Sequence, residues 1–368
     1  MNIGLCGFGV VGRGVYEIVR QRPDMKVKKI LCLEDIHLPD AQTVKDFSEI
    51  LNDPEIDTVV EAMGGLHPSY DFARAALEAG KNVVSSNKAM VCTFYDQLVP
   101  LAMHKGVSLR CTAAVGGGIG WLSELERARR VQTINQVGGI MNGTCNYILD
   151  NMTRLGLGYD EALKQAQKLG YAEANPATDV DGIDTWHKVI LSANVAFGIS
   201  LDKTTVPVSG IRNISAADVD CFKAYGKVCK LISTAKRTED GFSAYVQPTL
   251  VDAGSPEGAV PLNYNLITFI GQTSERMSFY GQGAGRYPTA YNVVQDLVDV
   301  TQGKSFYAPY GAPQAADNQA AHRYYVRGDW EGSIQEDWST GVITAPVPVS
   351  QMHQWVKDHP DAFIAGVD

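Results

Sequence analysis

Residues 170–188, "GYAEANPATDVDGIDTWHK", gather Glu173, Asp179, Asp181, Asp184 and Lys188 within nineteen positions. The part from Gly182 onward has helical character, so Asp184 and Lys188, four apart, share one helix face. On a surface such a pair contributes only about a few tenths of a kcal/mol. The next residues, "VILSANVAFG", are almost wholly apolar, however, which predicts a helix running into a core, and Glu173 and Asp179 approach it through a loop containing glycine and proline. A partly buried lysine among carboxylates suits protonation of an oxygen that becomes an alkoxide, because burial and neighbouring charges tune a lysine's pKa. Spare carboxylates suit a substrate ammonium. Residue types alone leave this chemistry and an ordinary surface ion pair equally open.

A second chemical signal lies at the start of the chain, where "GFGVVG" sets Gly7, Gly9 and Gly12 in GxGxxG spacing, with Val10 and Val11 between them. The motif follows a short apolar strand and opens a helix. There the first glycine allows the tight turn, the second lets a pyrophosphate reach the backbone, and the third permits close packing of the helix. An acid about twenty residues further on accepts hydrogen bonds from the ribose of NAD, whereas an arginine there suits the phosphate of NADP. The second strand ends "LCLEDIHLP", which makes Glu34 the first candidate and Asp35 the second, with no Lys or Arg before Lys45. Carboxylates at that point favour NAD over NADP.

These groups need a scaffold. Strands are predicted over 25–35, 56–65, 81–91 and 106–120 after the N-terminal one, with a helix over 69–80, and this alternation implies a parallel sheet covered on both faces. The fold class is therefore α/β: a Rossmann-type, doubly wound nucleotide-binding domain, followed by a second domain of α+β type. In the latter, "SELERARRV", "GTCNYILDNMTRLG", "DEALKQAQKLG" and "DTWHKVILSANVAFG" are helical, strands dominate 205–280, and "PTAYNVVQDLVDV" (288–300) is a helix with proline at its start. At 368 residues the chain is long enough for two cores. A net charge of −9 without a Lys/Arg block argues against nucleic acid or an anionic membrane as partner and for a small molecule. Seven scattered cysteines without a CxxC pair, and histidines without HxH or HExxH spacing, support neither a disulfide framework nor zinc. Cys145 and His187 are expected to be packing residues. The first residues enter a strand without a basic leader, and no apolar run reaches the roughly 20 residues of a spanning helix, so a soluble cytoplasmic protein is expected.

Four motifs then carry a likeness. "GYAEANPATDVDGIDTWHK", "GGIMNGTCNYIL" (138–149), "SSNKAMV" (85–91) and "FYGQGAGRYPTA" (279–290) closely resemble homoserine dehydrogenases, in order, over about four fifths of the chain. The resemblance implies reversible reduction of L-aspartate 4-semialdehyde to L-homoserine with a nicotinamide cofactor. It makes Lys188 the proton donor and sets Lys88 facing the substrate near the nicotinamide. It assigns Glu173 and Asp184 to the amino acid, Asp179 to a further substrate-side acid and Thr144 to the same pocket. Met63, Gly64, Gly170 and Gly285 match cofactor-contacting positions. It further implies a homodimer, a nucleotide domain over 1–125 plus 286–317, a catalytic and dimerisation domain over 126–285, and a tail over 318–368 that is short for a complete regulatory ACT domain. Two rivals share the architecture: an oxidoreductase acting on another amino-acid carbonyl, and a non-catalytic nucleotide-binding regulator, against which the retention of Lys88 and Lys188 speaks.

Departures from the family pattern are equally legible. Relatives often hold a monovalent cation on carbonyls that match Val115, Gly117 and Ile119, together with a glutamate, but Thr112 stands in the glutamate's place and brings no charge. Gln282 replaces a proline in the run to Gly285. Leu33 and Glu34 occupy positions where many relatives carry a basic residue, which again points to NAD.

Overall fold

Short apolar strands alternating with amphipathic helices build a six-stranded parallel sheet in the computed structural model, which describes residues 1–367 apart from 240, 305–310 and 312. Its strands are β1 (Asn2–Cys6), β2 (Lys26–Leu31), β3 (Gln42–Val44), β4 (Thr58–Glu61), β5 (Asn82–Ser85) and β6 (Leu109–Arg110). They are ordered β3-β2-β1-β4-β5-β6, every paired neighbour parallel. The order reverses between β1 and β4, and in open sheets of this kind ligands bind beyond the carboxyl ends at such a switch point. The short β3 and the helix Ser48–Leu51 carry too weak a pattern to be foreseen; the 81–91 segment becomes β5 and then the helix Lys88–Thr93.

This sheet belongs to a first unit of Met1–Val131, Asn194–Ser200 and Gln282–Pro313. The helix Arg286–Thr301 starts two residues before the predicted one, and Pro288 still falls in its first turn, where a missing N–H breaks no helical bond. It packs on the helix α1 (Val10–Val19) so closely that a Cβ on Gly14 would lie 2.9 Å from Ala290 Cβ. Ile3, Leu5, Val15, Val19 and Val60 share a core with Ala290, Val293 and Leu297. The helix Trp121–Ala128 stays with this unit, because its Glu126 and Ser123 accept from the buried Arg110 at the end of β6. The division consequently falls after Val131, beyond the expected 125.

The second unit comprises Gln132–Ala193, Leu201–Gly281 and Gln314–Asp368. Its sheet runs in the order Glu275–Gln282, Tyr264–Gly271, Ile134–Ile140, Lys227–Arg237, Phe242–Asp252, Phe363–Val367, Ala321–Arg327, Val342–Thr344, Ile334–Asp337. The tail is therefore no separate appendage. Phe363–Val367 pairs parallel with Phe242–Asp252, and Tyr324, Val326, Met352 and Ile364 form a core of their own. No described helix is long and apolar enough to cross a membrane, and all seven cysteines are free.

One buried ring fastens the tail. His353, on the helix Val349–Asp358, lies 3.1 Å from both Ser209 Oγ and Gln247 Oε1. The carboxamide oxygen only accepts, which assigns Nε2–H as the donor to Gln247 and leaves Nδ1 for the Ser209 hydroxyl. Burial, reinforced by Lys357, lowers the His353 pKa to about 3. An unfolded histidine takes up its proton near 6.5, so the stability of this contact is complete above that pH and is lost progressively as the pH falls toward 3. We predict that His353→Leu lowers stability at pH 7.5 by about 1–3 kcal/mol and flattens its decline between pH 6.5 and 5. Urea unfolding of parent and variant across that range measures both.

Candidate active site

The glycine turn meets each demand made on it. Gly7 has φ +96°, and a Cβ there would lie 2.7 Å from Ala62 O; a Cβ on Gly12 would lie 2.1 Å from Gly7 O. At Gly9, the residue preceding α1, a Cβ would meet nothing within 4 Å, which leaves its backbone open to a phosphate beside the first N–H groups of the helix. Val10 is exposed and Val11 half-buried at the same helix start. A dinucleotide fits these residues. Beyond β2, Glu34 pairs with Arg13 of α1 at 3.3 Å, and Asp35 pairs with Lys45 at 2.8 Å. The cation paired with Glu34 thus comes from the preceding helix, which sequence order concealed.

At the ends of β4 and β5 a buried network shapes two further loops. Glu61 is fully buried and accepts from Ser85 Oγ at 2.6 Å and from the Met63 N–H at 3.0 Å. Asn87 caps the helix that begins with Lys88 by accepting from the Met90 N–H, and its amide donates to Gly65 O at 2.7 Å. Met63, Gly64 and Lys88 are thereby fixed to one corner of the sheet. Gly64 and Gly285 have φ of +91° and +124°, and Gly285 precedes the helix Arg286–Thr301 in the same unit. Gly170, with φ +76°, ends the helix Tyr159–Lys168 in the second unit.

In the second unit the opening segment folds into a charged cluster. Gly182, at φ +83°, turns the chain into the helix Ile183–Phe197, whose residues from Lys188 to Phe197 are all buried. Asp184 and Lys188 are 5% and 7% exposed, which removes the surface-pair alternative. Lys188 Nζ donates to Asp184 Oδ2 and to Met141 O, both at 2.7 Å. The amide nitrogen of Asn142 donates to Asp184 Oδ2 at 2.8 Å and to Asp179 Oδ1 at 2.7 Å, while its oxygen caps the helix Gly143–Leu155 by accepting from Cys145 N–H. One capping residue therefore holds two carboxylates together. Desolvation, and then the charge of Asp184, raise the pKa of Asp179.

Thr144 adjoins the cluster through a side-chain hydrogen bond with Asp179, and its hydroxyl also donates to Tyr171 O at 2.6 Å. Glu173 stands exposed outside the hydrogen-bonded cluster, its carbonyl held by Gln167 Nε2 at 3.1 Å. Asp181 is paired with Arg212, thirty-one residues away. Cys145 Sγ lies 3.1 Å from Asp179 O, and burial raises its pKa well above the ordinary thiol range, so it is a packed thiol. Sequence reasoning missed Asn142, for which an asparagine at a helix start was an available signal. It also missed Met141 O, which has no side-chain signature.

Of the carbonyls of Val115, Gly117 and Ile119, expected to hold a monovalent cation, the last two already accept hydrogen bonds from the protein. Gly117 O accepts from Asn292 Nδ2 at 2.5 Å, and Ile119 O accepts from Trp121 N–H at 2.7 Å. Thr112, in the place of the charged ligand, donates through its hydroxyl to Asp296 Oδ1 at 2.7 Å. No group of three or more His, Cys, Asp or Glu able to hold a metal occurs among the described residues.

A dinucleotide turn at a sheet switch point, carried by the same chain as a buried lysine held among carboxylates, places the chain among NAD(P)-dependent oxidoreductases. Comparison with known proteins narrows the class. The family model described as "Homoserine dehydrogenase" matches residues 121–298, and the one for "Homoserine dehydrogenase, NAD binding domain" matches 7–112. The homoserine dehydrogenase of Bacillus subtilis is 34% identical over 84% of this chain and 76% of its own, and that of Lactococcus lactis is 34% identical over 93% and 84%. The crystal structure of a homoserine dehydrogenase from Thiobacillus denitrificans matches with a TM-score of 0.88 at 27% identity, covering 100% of this chain and 98% of that one. The chain belongs to the homoserine dehydrogenase family, whose reaction is the reversible NAD(P)H-dependent reduction of L-aspartate 4-semialdehyde to L-homoserine.

The raised pKa of Asp179 gives a test with a definite sign. On going up in pH the unfolded aspartate ionises first, so the folded state loses stability between the ordinary value of 3.8 and the raised one. We predict that Asp179→Asn melts at a higher temperature than the parent at pH 7, that the difference vanishes below pH 3.8, and that turnover falls. Thermal unfolding at both pH values, with an assay at pH 7, checks this.

Proposed function

We propose that Lys188 is the group that protonates the aldehyde oxygen of L-aspartate 4-semialdehyde, with Asp184, Asp179, Glu173 and Thr144 receiving the amino-acid end and Lys88 facing the substrate near the nicotinamide. The observation that carries this is the pair of 2.7 Å bonds from Lys188 Nζ to Asp184 and Met141 O. An ammonium has three N–H groups; two are used to orient it, and the third is the one for the substrate oxygen. After that proton leaves, Met141 O still anchors the amine, ready to take a proton back in the oxidation direction. Asp179 and Asp184, held together by Asn142, give the ammonium of the substrate a complementary end, and Glu173 on its exposed loop adds a further negative charge.

The cofactor supplies or accepts the hydride when bound, and Gly7, Gly9, Val10, Val11, Gly12, Met63, Gly64, Gly170 and Gly285 are the positions proposed to hold it. NAD is the preferred form, supported by the exposed Glu34 and Asp35 after β2, whose charges oppose a 2′-phosphate. The working form is a homodimer made through the second unit, a reading supported by exposed Met277 and Tyr280 on the edge strand Glu275–Gln282. Free thiols throughout suit a reducing cytoplasm.

Homoserine oxidation measured side by side with NAD and NADP tests the substrate and the cofactor together; negligible activity with both overturns the reading. Lys188→Ala is expected to lower the maximal rate by about 10²–10⁴-fold while NADH binding stays within about twofold, and unchanged turnover would refute the proton-donor role. Leu33→Arg with Glu34→Ser, which also releases Arg13 from its ion pair, is expected to move the kcat/KM ratio toward NADP. A ratio that does not move puts the discriminator elsewhere.

A further inference from the structure

We propose that fixed side chains of this protein do at the 112–119 turn what a bound monovalent cation would do, so that neither its stability nor its turnover responds to Na⁺ or K⁺. A cation on converging carbonyls offsets their dipoles and ties the turn to its surroundings. Asn292, 2% exposed on the helix Arg286–Thr301, does both at Gly117, and the Trp121 N–H does so at Ile119. The turn is also packed shut. Gly118 N–H donates to Gln282 O at 3.0 Å, and a Cβ on Gly117 would lie 2.5 Å from Gly283, one on Gly118 2.9 Å from Pro288.

The charge is accounted for as well. Asp296 takes the Thr112 N–H and hydroxyl, each at 2.7 Å, and Arg110 Nε at 3.1 Å. Arg110 is fully buried and also reaches Asp299 at 2.8 Å and Glu126 at 3.4 Å. Lys304 and Arg130 pair with those outer acids, at 2.7 and 3.4 Å. Among the described residues, Arg110, Lys304 and Arg130 thus stand against Asp296, Asp299 and Glu126, and a cation added to this buried place would meet positive charge already there. A guanidinium does not deprotonate in proteins, so this replacement is permanent.

The test uses the full chain in NaCl, KCl and choline chloride at matched ionic strength, reading Tm and kcat/KM for homoserine oxidation at saturating NAD. The expected result is a Tm within about 1 °C and rates within about twofold in all three salts. A Tm several degrees higher, or a rate several-fold faster, in NaCl or KCl than in choline overturns the proposal. A second arm combines Asn292→Ala with Thr112→Glu, which frees the Gly117 carbonyl and adds a charge. That variant is expected to melt lower than the parent in choline and to gain stability on addition of Na⁺ or K⁺. A folded variant that melts with the parent in choline and ignores both cations overturns the role given to Asn292. Should the variant not fold in any salt, Asn292→Ala alone decides, since an unchanged Tm in choline refutes the same role. The Tm readout keeps this outcome separate from any failure of the roles assigned to Lys188.

Discussion

An ammonium taken out of water must be met by charge and by hydrogen-bond acceptors, and the second unit is organised around that requirement at Lys188. Asp184 is supplied one helical turn earlier on the same helix, and Met141 O by the chain leaving the strand Ile134–Ile140. Asn142 then ties Asp184 to Asp179 and starts the next helix with the same side chain. Removing one member of such a set leaves the others buried and unsatisfied, which is why the set behaves as one object in the fold. The position of the Lys188 amine is thereby a property of the scaffold, with little left to side-chain freedom.

Support for the acid loop reaches further than the cluster. Ile211 N–H donates to Val180 O at 2.8 Å, Arg212 holds Asp181, and a Cβ on Gly210 would lie 2.1 Å from Val180 O. The neighbouring Ser209 contacts His353 from the tail. A continuous run of packed and hydrogen-bonded groups therefore joins the last helix of the chain to the loop that carries Asp179. Asp181 takes part in this run through its pair with Arg212.

The first unit solves a similar problem differently. One of its buried charges is Arg110, surrounded by Asp296, Asp299 and Glu126 from two helices. This cluster locks Arg286–Thr301 and Trp121–Ala128 to the end of β6, while small residues at Gly12 and Gly14 let α1 come close to its neighbours. Glu61 and Ser85 do the same for the loops that end β4 and β5.

The sequence by itself determined the parallel α/β sheet, the glycine turn, the acid pair at Glu34 and Asp35, and the Asp184–Lys188 pairing. All of these depend on neighbours within a few residues, where strand and helix periodicity fix geometry directly. Only the tertiary structure decided that this pair is buried, that Glu173 stays outside its hydrogen-bonded cluster, that Arg13 reaches Glu34, and that Arg212 answers Asp181. It likewise decided that the tail completes a sheet and that Asn292 takes the Gly117 carbonyl in the turn where a cation was expected, with Arg110 on the Asp296 that Thr112 also contacts. These contacts join residues from about twenty to nearly two hundred positions apart. No local periodicity encodes them, because burial and long-range partnership are settled only when the strands and helices pack.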